Sequence, residues 1–113
     1  MHELSIMDGA LSQVLEEARR AGASRVEEIR LRIGALSGVV PEALQFAFEA
    51  LAGGTMAERA RLKIENVPAR FWCAGCETEF ECANFFAECP SCKKPSRDLR
   101  AGRELELASM EIV

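Results

Sequence analysis

No apolar run in this 113-residue chain approaches the roughly 20 residues that a membrane-spanning helix requires. Its hydrophobic half, 49% of the residues, is broken into short stretches by Glu and Arg. A soluble protein without a membrane partner is therefore expected. The opening Met1-His2-Glu3-Leu4-Ser5 shows no basic stretch leading into an apolar run, so no secretory signal is read and a reducing cytoplasm is the expected location. A positive excess is also missing: 14 Lys and Arg against 18 Asp and Glu leave a net charge of -4, which repels a phosphate backbone and argues against nucleic acid as partner of the whole chain. Histidine is nearly absent. With His2 as the single imidazole, no partner is available beside the cysteines to activate a nucleophile, and catalytic residues are not expected. No P-loop motif occurs, so nucleotide hydrolysis is not expected of this chain.

What the chain does have is cysteine, and it is concentrated. All five cysteines fall within the twenty positions from 73 to 92. In a reducing compartment such crowding points to metal and away from disulfides, and the odd number excludes a complete disulfide framework. Cys73-Ala-Gly-Cys76 and Cys89-Pro-Ser-Cys92 are two Cys-x-x-Cys turns separated by twelve residues. Each turn can aim two sulfurs at one centre, and four thiolates suit tetrahedral Zn(II). Gly75 is expected to take the positive φ of the first turn, while Pro90 stiffens the second. The segment from Glu77 to Glu88 is expected to form the hairpin of a zinc ribbon, with Phe80 and Phe85 or Phe86 beneath the metal. Four protein ligands leave no open position, so the site reads as structural. Cys82 stands outside both pairs and reads as a small packed hydrophobe. Lys93, Lys94, Arg97 and Arg100 read as a solvated loop that offsets a doubly negative zinc-thiolate cluster.

Around this segment the periodicity gives helices and strands. Ser5-Ile6-Met7-Asp8 has the form of a capping box, and Leu4, Met7, Leu11, Val14, Leu15 and Ala18 recur at helical spacing up to Gly22. This spacing predicts an amphipathic helix from about Ser5 to Ala21. Ile29, Leu31 and Ile33 alternate with charged residues as a strand. Pro41 opens a second helix carrying Leu44, Ala47, Phe48 and Leu51, which ends at Gly53-Gly54. Strands follow at about Arg61 to Val67, with Leu62 and Ile64 inward, and from Glu104 through Ile112. The fold class is α+β: two helices packed on a three-stranded mixed sheet, with an inserted zinc-ribbon domain. The domains are residues 1–67 plus 103–113 and, between them, the ribbon at 68–102. That ribbon has few aliphatics and needs metal to staple it.

His2 directly follows Met1, so the terminal amine, the His2 amide nitrogen and its imidazole can close adjacent chelate rings on one ion. Nitrogen donors in a plane favour nickel(II) or copper(II) over zinc. The opening Met1-His2-Glu3-Leu4-Ser5, Gly34-Ala-Leu-Ser-Gly38-Val-Val-Pro41, Leu44-Gln-Phe46-Ala-Phe48-Glu49, Gly54-Thr55, Val67-Pro68-Ala69 and the paired cysteines together resemble the HypA/HybF family of nickel-insertion proteins for NiFe-hydrogenase maturation. The resemblance covers nearly the whole chain. It implies a metallochaperone that carries Ni(II) at Met1, His2 and Glu3, with structural Zn(II) on Cys73, Cys76, Cys89 and Cys92. It also implies two partners, the GTPase HypB and the NiFe-hydrogenase large subunit; as to assembly, a monomer or homodimer is expected. The fourth nickel ligand stays open among Glu3, a backbone amide, water and a partner's side chain. Relatives with histidines flanking the cysteine motifs have no counterpart here. The competing function is a zinc-ribbon adaptor that binds protein or nucleic acid without nickel. From Arg70 to Arg103 the chain carries six basic and five acidic residues, which is too even a balance for a nucleic-acid module.

Overall fold

The computed structural model describes residues 2–113, without the side chain of His2. The nickel expectations for Met1 and for the His2 imidazole therefore lie outside the described residues. Two compact units are present. One comprises Met1–Leu31, Val39–Glu65 and Glu106–Val113, and the other comprises Arg32–Gly38 and Asn66–Leu105.

In the first unit, helix α1 spans His2–Arg20. Met7, Leu11, Val14 and Ala18 form its buried stripe, at the i, i+4, i+7, i+11 spacing of one helix face. Packing rather than propensity holds it. An exposed Gly9 lies mid-helix and costs about 1 kcal/mol relative to Ala, whereas each buried Met, Leu or Val contributes about 1.5–3 kcal/mol. The helix begins three residues ahead of the expected capping box, so Ser5 lies inside it and Leu4 is exposed. Glu3 accounts for the earlier start. Its carboxylate sits in the first turn, where the helix dipole favours negative charge, and its Oε2 accepts a hydrogen bond from the Val40 amide at 3.3 Å. At the other end Gly22 takes φ 72°, and the amides of Gly22 and Ala23 return to the carbonyls of Arg19 and Ala18, closing the helix as a glycine C-cap does.

Strand β1 covers Val26–Gly34, helix α2 covers Pro41–Ala52, strand β2 covers Arg61–Val67 and the last strand, β6, covers Leu105–Ile112. Pro41 occupies the first turn of α2, after an extended Val40 that offers no side-chain cap. Leu44, Ala47, Phe48 and Ala52 are its buried residues, while Phe46 is exposed. Gln45 Nε2 donates to the Leu62 carbonyl at 2.9 Å, which fixes α2 against the start of β2.

The sheet order is β2-β1-β6. Bonds from Val26 N to the Met56 carbonyl and from Ala35 N to the Val67 carbonyl bracket β1 and β2 in the same direction. Bonds from Ser24 N to the Val113 carbonyl and from Gly34 N to the Glu104 carbonyl run β6 the opposite way. The sheet is thus mixed, as expected, and α2 is the crossover that a parallel pair requires. Ile29, Leu31 and Ile33 are buried as their alternation predicts. Strand β6 does not present one continuous apolar face. Leu105 and Leu107 have opposite parity to Met110 and Ile112 on one uninterrupted strand, so they cannot share a face, and Leu105 is 44% exposed.

The second unit carries a separate three-stranded sheet, β4-β3-β5, from Arg70–Cys73 (β3), Thr78–Glu81 (β4) and Leu99–Ala101 (β5). Strand β3 pairs antiparallel with β4 in the register Phe71 to Phe80 and Cys73 to Thr78, and antiparallel with β5 on its other edge. The ribbon hairpin therefore runs from Arg70 to Glu81 and not from Glu77 to Glu88. Its turn is the first cysteine pair. The strand enters and leaves the segment through a tight crossing. A Cβ on Gly34 would overlap the Gly102 carbonyl and come within 2.6 Å of Arg103 N, and a Cβ on Gly102 would lie 2.7 Å from Ala69 Cα. Gly102 also takes φ 124°, a conformation open to glycine and costly for other residues.

Candidate metal centre

Alternation along β3 sets the centre. Phe71 and Cys73 are two residues apart and point to one face, and both are buried. The Cys73-Ala-Gly-Cys76 turn follows directly. Residue Glu77 takes φ 51°, and Lys93, at the equivalent place after the second pair, takes φ 65°. The positive φ thus falls one residue beyond each pair, and Gly75 does not carry it. The second turn is closed by Lys93 N donating to the Cys89 carbonyl and Cys89 N donating to the Lys94 carbonyl, with Glu88 and Pro95 bridged at its base.

These turns bring together the four cysteines that the spacing paired. All four sulfurs lie within 4.8 Å of one another. Cys73 Sγ and Cys92 Sγ are 3.5 Å apart, and Cys89 Sγ and Cys76 Sγ are 3.9 Å apart. A tetrahedron with Zn–S bonds of about 2.3 Å has edges of about 3.8 Å. The donor set and its spacing fit such an ion. Cys73 and Cys89 are buried, with Cys76 and Cys92 nearer the surface. The thiols differ sharply in acidity. Donation from the Cys92 backbone, opposed by desolvation and aided by the Ser91 backbone, pulls Cys89 down to about 7. Hydrogen bonding to Cys92, Cys73 and Cys89 holds Cys76 up at about 12. Four sulfurs this close cannot all ionise alone, and a divalent cation removes the conflict by balancing their charge.

Beneath the sulfurs lies a small core of Ala69, Phe71, Cys73, Phe80, Ala87 and Cys89, with Leu36, Cys82, Cys92 and Leu99 against it. Phe80 is present as expected and stacks on Phe71 at 6.0 Å between ring centroids. Phe85 and Phe86 are not beneath the cluster, being 52% and 93% exposed. The Asn84 carboxamide accepts from the Phe86 amide at 2.8 Å and turns the chain outward, while Arg103 covers the Phe85 ring. Phe71 was the missed residue, and its place two positions before Cys73 was the available signal. Cys82 is half-buried, packed against this core and outside the four-sulfur group. Arg100 lies over the Trp72 ring and makes two 2.9 Å bonds to the Asp98 carboxylate. Its charge is therefore committed to the ribbon itself. Of the expected amino-terminal residues, only Glu3 has a described side chain.

A four-cysteine ribbon carried between strands of a helix-and-sheet chain defines a candidate four-thiolate metal site. No described helix is long and apolar enough to cross a membrane. The family described as hydrogenase/urease nickel incorporation, metallochaperone, HypA matches residues 1–112, and the chain belongs to this family. It is 47% identical over 113 residues to the hydrogenase maturation factor HypA of Picosynechococcus sp., covering all of both chains. It is 43% identical over 112 residues to that of Methylocella silvestris, covering 99% of each. Among solved structures, the solution structure of the nickel metallochaperone HypA from Helicobacter pylori is similar with a TM-score of 0.67 at 23% identity, over 98% of this chain and 97% of that one. A second HypA solution structure gives 0.70 at 24% identity, over 100% and 97%. At these identities the structures speak for the fold.

Proposed function

We propose that this chain is a nickel metallochaperone without catalytic activity of its own. It binds Ni(II) through the Met1 amine, His2 and Glu3, and holds structural Zn(II) on Cys73, Cys76, Cys89 and Cys92. It delivers nickel to a NiFe-hydrogenase large subunit together with the GTPase HypB, in the cytoplasm. The observation that carries the reading is the family match from residue 1 to 112 in a chain whose single histidine is residue 2. The four sulfurs give the zinc part independent support, because their spacing fits a closed tetrahedral site. Residues 68–102 serve as the zinc-ribbon domain, and residues 1–67 with 103–113 as the nickel-carrying one.

Amine, amide and imidazole nitrogens in one plane favour nickel over zinc, and the soft thiolates favour zinc, so the two metals are sorted by donor type. Calorimetry with nickel on the zinc-loaded protein tests this. His2→Gln removes the imidazole, and a Gly-Ser extension ahead of Met1 displaces the amine while keeping the imidazole. Each should weaken nickel binding by at least about tenfold, the loss of about 1.4 kcal/mol, with zinc content unchanged. If both altered proteins bind one nickel as the parent does, the amino-terminal site is wrong. Cys73→Ala should release zinc while Cys82→Ala retains it, and zinc retention without Cys73 would reject the thiolate assignment.

A further inference from the structure

Strand β2 is an edge of its sheet, and its exposed face runs from two cations, Arg61 and Lys63, to Glu65. Arg61 and Lys63 are exposed at alternate positions while Leu62 between them is buried. Arg59, just ahead of the strand, joins Arg61 in lining an open cavity of about 420 Å³ with Arg25, Val26 and Glu27. The carboxylates nearby are already engaged. Glu27 pairs with Arg25 at 3.6 Å, Glu28 is shared by Arg30 and Arg61 at 3.4 and 3.5 Å, and Glu58 accepts from the Gly54 amide at 3.1 Å. Arg59 makes no ion pair among the described residues, and Lys63 acts on Glu28 only as a neighbouring charge. Three exposed cations, Arg30, Arg61 and Lys63, thus share one buried carboxylate, Glu28, on a chain whose net charge is -4.

We propose that the row Arg59, Arg61 and Lys63, at the open edge of β2, is a docking surface for an extended acidic segment of a partner protein. The spacing favours such an occupant. Alternate residues of a strand lie about 7 Å apart, so an extended chain laid along β2 with acidic residues at every second position meets Arg61 and Lys63 in register, and a further carboxylate reaches the Arg25–Arg59–Arg61 cavity. The open backbone edge supplies main-chain partners to the same segment. An antiparallel β2–β2 pair centred on Lys63 sets Lys63 against Lys63 and Arg61 against Glu65, so a second copy matches the two cations less fully than an acidic segment does. Guanidinium groups also match carboxylates as paired donors.

The test uses the full-length, zinc-loaded protein and fluorescence anisotropy of a labelled peptide with glutamate at alternate positions. Its isomer with the same glutamates in one block and inorganic phosphate serve as comparisons. The alternating peptide should bind more tightly than the blocked one and resist displacement by equimolar phosphate. The double variant Arg59→Ser, Lys63→Ser should lose about tenfold in affinity, as expected for two exposed ion pairs of up to about 1 kcal/mol each, with zinc content and melting temperature unchanged. The control variant Lys93→Ser, Lys94→Ser, in the other unit, should bind as the parent does. Failure of the parent to bind overturns the proposal. So does equal loss in the control, which marks general charge attraction, or displacement by equimolar phosphate, which marks an isolated-anion site.

Discussion

Glu28 is the buried charged side chain of the sheet, and its surroundings decide how the fold responds to acid. Desolvation raises its pKa, but hydrogen bonds with Glu111 and Arg30 and the charges of Lys63 and Arg30 outweigh it and hold the carboxyl below its ordinary value. A carboxylate lowered in the folded state stabilises that state above the unfolded pKa, and the contribution is lost as pH falls through the folded value. Glu28→Gln should therefore melt below the parent at pH 7, and the gap should be narrower at about pH 3, beneath the ordinary carboxylate range. Paired thermal melts at the two pH values check this; a gap that widens in acid would contradict it. The charged alternation around Glu28 was visible in the sequence, but its burial was not. It depends on which residues of β2 and β6 become neighbours, and no local pattern encodes that.

At the scale of elements, the helices and the first sheet were legible because each has a single apolar face at its own period. Both helices, β1 and β2 followed from the spacing of residues such as Met7, Leu11, Val14, Ile29 and Leu31. The start of α1 was misplaced because Glu3 bonds to Val40, 37 residues along the chain, and such a partner is invisible locally. The four sulfurs come together as their spacing paired them, but the hairpin lies at Arg70–Glu81 and not at Glu77–Glu88. Phe80, Phe85 and Phe86 are chemically alike, and only the Phe71 to Phe80 register selects the one that faces inward. Phe71 is 1% exposed and Phe86 is 93% exposed, which gives a sharp contrast. Phe71→Ala should cost about 3–5 kcal/mol, and Phe86→Ala should stay within about 0.5 kcal/mol of the parent. Denaturant unfolding followed by Trp72, the single tryptophan and a β3 residue, measures both. Equal effects would mean that the ring beneath the cluster has been misassigned.

For the whole molecule, the two units differ in what holds them. The first has a core of long aliphatics from both helices and β1, whereas the core of the second is two phenylalanines, small side chains and the sulfurs themselves. Such a small core would be marginal without the proposed zinc, since thiolate ligation supplies folding energy directly. Removing zinc with a strong chelator should therefore abolish slow amide exchange in β3, β4 and β5 while α1, α2 and β1 keep theirs. Hydrogen exchange with and without chelator reports this residue by residue. Protection of the ribbon amides that survives complete zinc removal would show that the aromatic pair suffices.

The crossing of Gly34, Ala69 and Gly102 has a consequence for how this architecture can be edited. Because the chain passes Ala69 and returns to it at Gly102 with no room for even one added carbon, everything from Arg70 to Ala101 is an excursion whose two ends meet. Closing so short a gap needs only a turn, and the entropy of closure changes slowly with the length of what lies beyond it. Lengthening or shortening the loops of the ribbon should therefore cost little in closure entropy. The constrained part is the doorway: a methyl group at Gly34 or Gly102 would wedge it open.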